Sequence, residues 1–321
     1  MQNKTLFLDV NTLRLEVFVI GYPDKGESQI IIISDISHNI LFSCVIDCYE
    51  HAAINKTVEI LESKGVQDLT LFIWTHTDED HSFGIDNLIK KFCKKTTRFL
   101  LPELITGNEK DFVEYNEYVK ACFDSINAFN VGGNYCVSSA TVIPGGHSQV
   151  FFTKFIDKKT GSQLNFEILA IAPLSALIRR RWDSGIVKKK NDLSIATIFK
   201  VGNLNLLFSS DIENQTISQI ADYHFQNLAF LKTPHHTSKT STKLIDKILA
   251  NYTAKIPTAV TTIYKVHNLP DGELVDEYKK ITEKFYSTGI GDQSSGVTHT
   301  TFDIVNNIII DEMIFGNAVL L

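Results

Sequence analysis

Two β-sheets packed together with helices on their outer faces are what this chain predicts. The first observation is a strand-rich opening. Residues 13–21, 29–34 and 39–47 are crowded with Val, Ile and Phe and are separated by turn residues such as Pro23-Asp24-Lys25-Gly26. The second is a strand-rich second half, residues 165–173, 193–201 and 204–209, whose last pair is joined by Gly202-Asn203 as a tight hairpin. The third is that segments with helical spacing fall between and after these strands, which gives an α/β chain whose sheets have helices to cover them.

The elements follow in order. In residues 52–64, Ile54, Val58 and Leu61 recur at helical spacing with Ile60 widening the stripe, and Gly65 stops the run. Residues 69–74 are an apolar strand, and 86–92 read as the helix after it. From 102 to 163 the pattern weakens, with a helix at 110–123 and then a polar stretch through Gly132-Gly133 and Gly145-Gly146. Helical spacing returns at 212–225, 242–252 and 273–286, with a strand at 258–264. The apolar end, 307–321, is broken by Asp311, Glu312 and Asn317 and reads as a terminal strand or short helix, or as a dimer contact. No repeat, low-complexity run or proline-rich linker divides residues 1–321, so one domain is expected.

Composition narrows the class. Of the 321 residues 44% are hydrophobic and 21% charged, which indicates a globular chain able to bury a large core. The five cysteines form no CxxC pair and are odd in number, so a reducing compartment is expected. With no charged-then-apolar leader and no run of membrane length, the expectation is a cytoplasmic protein without a membrane partner. A net charge of −6 gives no general attraction to nucleic acid, so any polyanion contact must be local.

Chemistry concentrates between Thr75 and Gly84. His76, Asp78, Asp80 and His81 follow directly on the strand at 69–74, where the chain turns and neighbouring side chains can converge on a divalent cation. The alternative is an acidic turn with Asp80 as a helix N-cap, but a cap does not call for two histidines. Two later stretches share this character: the apolar run 206–210 ends at Asp211, and residues 230–238 place His235 and His236 after another apolar segment. His76, Asp78, Asp80, His81, Asp211 and His236 would suffice for two cations if the strand ends share one edge.

With these residues in view, the sequence resembles the metallo-β-lactamase superfamily, and more narrowly the hydrolase (nuclease) domain of ComEC-type competence proteins. The superfamily's HxHxDH motif matches His76, Asp78, Asp80 and His81, with Asp in place of the second His, as is frequent in that branch. The later Gly-Asp matches Ser210-Asp211, and the Lys-x-Pro-His-His-Gly-Ser block matches Lys232 to Ser238, with Ser210 and Thr237 where the family has glycine. Gly26-Glu27-Ser28, Val45-Ile46-Asp47, the turn at 191–194 and segments at 264–270 and 285–288 resemble further parts of the branch, so the likeness spans about residues 13–305 without the middle third. It implies a four-layer αββα metallo-β-lactamase sandwich. It also implies that His76 and Asp78 hold one cation, that Asp80, His81 and His236 hold the other, and that Asp211 bridges them. Many members add a histidine shortly before the bridging Asp, where this chain has Asn191 and Asp192. The first site is then a weak one, recruiting Asp192 or water, with His147 as a candidate replacement.

The expected activity is metal-dependent hydrolysis of a phosphodiester by a metal-bound hydroxide, with zinc or manganese as the pair of divalent ions and nucleic acid as substrate. Asp80 and His235 carry the catalytic assignments, His235 as a group that orients or protonates the leaving group. Arg179, Arg180, Arg181, Lys188, Lys189 and Lys190 flank Trp182 just before Asn191 and form a candidate phosphate grip with a stacking surface, or else a solvated loop. His267 falls where the branch places a site-lining loop, while His38, His51, His224 and His299 take structural roles. The alternatives are a phosphodiesterase for cyclic nucleotides or another small ester, and a non-catalytic partner of the same fold that binds protein or nucleic acid, with a homo-oligomer open in each case.

Overall fold

Alternation along the strands explains the layers. In β2 (Arg14–Gly21), Leu15, Val17 and Val19 enter one apolar cluster while Phe18 and Ile20 enter another, and in β3 (Glu27–Ser34) Ile31 and Ile33 are opposed to Ile30 and Ile32 in the same way. A strand that is apolar on both faces must be covered on both faces. The computed structural model describes residues 4–103, 117–129, 136–183, 190–251, 254–289 and 294–321.

One sheet runs β16 (Ile308–Gly316), β15 (Gly296–Asp303), β2, β3, β4 (Ile40–Ile46), β5 (Leu71–Ile73), β6 (Arg98–Pro102), β7 (Val137–Ala140). The other runs β1 (Lys4–Leu8), β8 (Ser148–Asp157), β9 (Gln163–Ala170), β10 (Thr197–Val201), β11 (Leu204–Phe208), β12 (Leu228–Lys232), β13 (Ile256–Thr261), β14 (Thr282–Ser287), β17 (Val319–Leu320). Between the sheets, Val17, Ile31, Cys44 and Ile73 meet Phe166, Phe199, Leu206, Phe208 and Phe230. On the first sheet's outer face, α1 (Lys56–Ser63), α3 (Ile85–Phe92) and α4 (Glu117–Asn127) bury Leu61, Leu88, Ile89 and Phe123. On the second sheet's outer face, α6 (Asn214–Ile217), α7 (Lys243–Ala250) and α8 (Gly272–Ile281) bury Ile217, Leu244, Ile248 and Tyr278. The expected four-layer αββα sandwich is the architecture found.

Parallel blocks run from β4 to β7 in the first sheet and from β11 to β14 in the second, whose edge pair β1–β8 is parallel as well. The β10–β11 hairpin closes at Val201 and Leu204, as the Gly202-Asn203 turn predicts, with Gly202 at φ 60°.

Several elements differ from the sequence reading. The expected helix at 212–225 is α6 followed by a 3-10 turn at Asp222–Phe225; between them Ser218 and Gln219 both send side-chain hydrogen bonds to the Gln215 carbonyl, competing with the helical ladder. The expected helix at 273–286 ends at Ile281, where the Thr282 hydroxyl donates to the Tyr278 carbonyl and β14 begins. Residues 190–193 form a 3-10 turn before β10, and the long strand β8 occupies a region the pattern left unread. Of the helix expected at 110–123, the described part belongs to α4. The C-terminal segment is strand: β16 pairs with β15, and β17 with β14.

Candidate metal centre

The cluster is assembled from the C-terminal ends of the parallel strands, where side chains emerge into the crevice above two sheets. β4 delivers Asp47, β5 delivers Thr75 and His76, and α2 (Glu79–Ser82), just beyond, carries Asp80 and His81. From the second sheet β11 delivers Ser210 and Asp211, β12 leads into Pro234–Thr237, and β13 leads to Thr262 and Tyr264. Two hydrogen bonds join these ends: Ile195 N–H donates to the Thr75 carbonyl (3.1 Å) and His235 N–H to the Ser210 carbonyl (2.9 Å). The N-cap of α2 is Asp78 rather than Asp80, and its side chain makes no capping bond.

The backbone here is strained. Asp47, Ser210, His235, His236 and Thr237 have φ of 56°, 46°, 47°, 50° and 61°, left-handed conformations that cost a residue with a Cβ about 1–2 kcal/mol each. Ser210 and Thr237 occupy such positions without a glycine's freedom.

Asp211 is the hub. Its Oδ2 lies 3.9 Å from the Nε2 atoms of His76, His235 and His236, and its Oδ1 lies 3.5 Å from His81 Nε2. Around it, His76 Nε2 is 3.4 Å from Asp78, His81 Nε2 is 3.4 Å from Asp80, and His236 Nε2 is 3.1 Å from Asp80. Gaps of 3.4–3.9 Å are long for hydrogen bonds. They approach the roughly 3.4 Å that separates two ligands each about 2.1 Å from one tetrahedral ion. Among the described residues, buried His76 Nε2, His81 Nε2 and Asp211 Oδ1 have no hydrogen-bond partner. Three converging orphan atoms of the ligand-forming kind fit a divalent cation. His76, His81 and Asp211 form one group with metal-compatible spacing, and Glu27, His81 and His236 form another.

Electrostatics agree with a site built around positive charge. Burial works against ionisation of Asp211, yet His81, His235 and His236 outweigh it and hold the carboxyl well below the usual range. Burial likewise favours a neutral His81, and Asp211, Asp80 and Asp47 override it, raising the imidazole well above its ordinary value. At the rim, Tyr264 and Tyr49 are pushed up to about 12, by burial first and then by the carboxylates of Asp80 and Glu79.

His76, Asp78, Asp80, His81, Asp211 and His236 are therefore brought together, and His235 joins them from the edge, 21% exposed. Its Nδ1 is held by Thr240 Oγ1 at 2.8 Å, and its Nε2 lies 3.5 Å from Asn191 Nδ2. His267 stacks on Tyr264, whose ring lies against His236. His147 is not at the cluster: it lies on the surface beside Tyr223 and His224, so it does not supply a missing ligand. Asp192 is buried. Arg179 and Arg180 are exposed on α5 (Ser175–Asp183); Lys188 and Lys189 lie outside the described residues, as do the side chains of Arg181, Trp182 and Lys190. His299 stacks on Phe18 and bonds Glu16, a structural role.

Five supporting residues, Asp47, Thr75, Glu27, Lys232 and Thr262, were not assigned roles from sequence. Asp47 receives the Thr75 N–H (2.7 Å), the Thr75 hydroxyl (2.6 Å) and His81 Nδ1 (2.7 Å). Glu27 pairs with Lys232 at 2.8 Å in a fully buried ion pair and accepts from Thr262. The available signal was a carboxylate at the start or end of an apolar strand, where a charge has no reason to be buried without a partner.

No family model matches this chain, and no curated protein does. Among solved structures it is similar to the metallo-β-lactamase fold protein YhfI from Bacillus subtilis, at 11% identity over 87% of this chain and 98% of that chain, with a TM-score of 0.41. It is also similar to a diphosphatase of the PhnP family, at 13% identity over 81% of this chain and 90% of that chain, with a TM-score of 0.38. Likeness at this level carries no argument about chemistry, and the αββα layering rests on this chain's own strands and helices.

Proposed function

We propose that this chain is a metal-dependent hydrolase of the metallo-β-lactamase type that cleaves phosphodiesters, with nucleic acid as its substrate. One observation carries the reading: buried, unpartnered atoms of His76, His81 and Asp211 converge from the ends of two sheets. His76 and Asp78 would hold one divalent ion, Asp80, His81 and His236 a second, and Asp211 both. Mixed imidazole and carboxylate ligands suit zinc or manganese. When bound, such a pair supplies Lewis acidity, ionising water near neutral pH and neutralising phosphoryl charge.

The chain's own side chains supply position. His235 keeps its outer nitrogen on Thr240 and turns its inner nitrogen toward Asp211, so it can orient or protonate a leaving group at the open side. The parallel Tyr264–His267 stack offers a flat wall beside His236 on which a base can lie. Arg179 and Arg180 precede the turn whose Asn191 reaches His235, a placement that supports a backbone grip.

The test is cleavage of labelled single- and double-stranded DNA and RNA, and of a small aryl phosphodiester, by protein loaded with manganese or zinc. The reading expects strand cleavage that Asp211→Ala abolishes and that Arg179→Ala/Arg180→Ala weakens with a shallower salt dependence. Cleavage of the small ester alone would make this an enzyme for small phosphodiesters, and no cleavage of any substrate would refute the hydrolase.

A further inference from the structure

We infer that two threonine hydroxyls, Thr75 and Thr262, set the ring tautomers of His76 and His236, each relaying a buried carboxylate onto the histidine's outer nitrogen so that the outer nitrogen carries the ring proton and the inner nitrogen is turned to the cluster. The assignment rests on the metal-centre reading for its purpose, but its geometry stands apart from any activity.

A hydroxyl has a single hydrogen to give. At Thr75 it goes to Asp47 Oδ2, 2.6 Å away. Asp47 is surrounded by donors, the Thr75 N–H on Oδ1 and His81 Nδ1 on Oδ2, so it acts as an acceptor. The Thr75 oxygen, 3.0 Å from His76 Nδ1, can then only accept, and His76 must carry its proton on Nδ1. A neutral imidazole holds one ring proton, which leaves Nε2 bare. That Nε2 is the buried atom without a hydrogen-bond partner, 3.4 Å from Asp78 and 3.9 Å from Asp211.

The second relay has the same construction with different parts. The Thr262 hydroxyl donates to Glu27 Oε2. Glu27 also receives Lys232 Nζ on Oε2 at 2.8 Å and Gln29 Nε2 on Oε1 at 3.0 Å, so it is an ionised carboxylate with every neighbour donating. The Thr262 oxygen therefore accepts from His236 Nδ1 at 2.7 Å, and His236 Nε2 faces Asp211 and lies within hydrogen-bond distance of Asp80 Oδ2 at 3.1 Å. Thr75 and Thr262 are 1% and 0% exposed, so no solvent competes for either hydroxyl, and β-branching holds each in a defined rotamer. His81 needs no relay at its outer nitrogen, since Nδ1 donates directly to Asp47. The two relays arise in different sheets, one at the end of β5 and the other after β13. Local sequence alone does not account for their likeness.

The experiment is nitrogen-15 NMR of ring-labelled histidines in metal-free protein, at a pH where the rings are neutral, paired with zinc affinity by competition with a chromophoric chelator. In the wild type both rings are expected to carry the proton on Nδ1, a result that needs no variant. Thr75→Val or Thr262→Val keeps the shape and removes the hydroxyl. Each is expected to populate the Nε2–H form of its own histidine and lower zinc affinity about 10–100-fold, while the matching Ser variant restores both. Wild-type rings protonated on Nε2, or Val variants with unchanged tautomers, would overturn the inference. Wild-type tautomers as expected in a protein that binds neither zinc nor manganese would uphold the relay and remove the metal-centre reading.

Discussion

Replacing Lys232 with Met takes one ammonium out of the interior. Its side chain is fully buried, and Nζ sits 2.8 Å from Glu27 Oε2 and 3.1 Å from the Thr233 carbonyl. In the variant Glu27 keeps Gln29 and Thr262 but loses its counter-charge, and removing one partner of a buried pair costs about 3–5 kcal/mol. The pKa of Glu27 carries the same sign, summed over its burial and several neighbours. Burial opposes ionisation of Glu27, yet Lys232, then His236 and His81, bring its pKa from 4.5 down to about 2. A drop of about 2.5 at 1.36 kcal/mol per pKa unit is about 3 kcal/mol. Because the folded value is the depressed one, this stabilisation is complete above pH 4.5 and is lost as pH falls toward 2. Urea unfolding at pH 7 should therefore show Lys232→Met destabilised by about 3 kcal/mol. Glu27→Gln/Lys232→Met should recover much of the loss, since an amide needs no counter-ion. A Lys232→Met protein within about 0.5 kcal/mol of wild type would refute the reasoning.

Other outcomes follow from the same geometry. Ser210→Gly should stabilise the fold by about 0.5–1 kcal/mol in thermal or urea unfolding, because φ at 46° is relieved and the Ser210 hydroxyl has no hydrogen-bond partner to lose. Thr237→Gly, at φ 61°, should show no such gain, since its hydroxyl lies in a hydrogen-bonded group with those of Thr233 and Thr261, 2.9 and 2.8 Å away, that glycine would lose. All five cysteines are free and buried, and burial pushes the Cys48 and Cys93 thiols up to about 12. A thiol-reactive chromophore should label native protein slowly and all five sites on unfolding; rapid native labelling would contradict the packing described.

How far the sequence could be read depends on range. His76, Asp78, Asp80 and His81 stood out because one turn carries them, and Asp211 and His236 because each ends an apolar run. Their supports were hard to see. Glu27 meets Thr262 across 235 positions of chain, and nothing local to either residue announces the other. Helical spacing carried correctly through Leu274, Val275, Tyr278 and Ile281, then ran on into β14, because Phe285 and Tyr286 continue an apolar pattern that serves helix and strand alike. β8 was overlooked for a related reason: Lys154 and the partly exposed Phe151 and Phe152 blur its alternation near the sandwich edge. Backbone strain at Ser210 and Thr237 came to light only from φ. No helix of the described residues is long and apolar enough to cross a membrane, in keeping with the absence of a membrane-length run.

Metal content measured on purified protein after loading with zinc or manganese and removal of the free ion tests the account most directly. Wild type should retain at least one divalent ion per chain, and Asp211→Ala, folded by circular dichroism, should lose it, because Asp211 is the carboxylate that faces all four inward imidazoles. Wild-type protein without stoichiometric metal, or an Asp211→Ala variant that keeps it, would contradict the account.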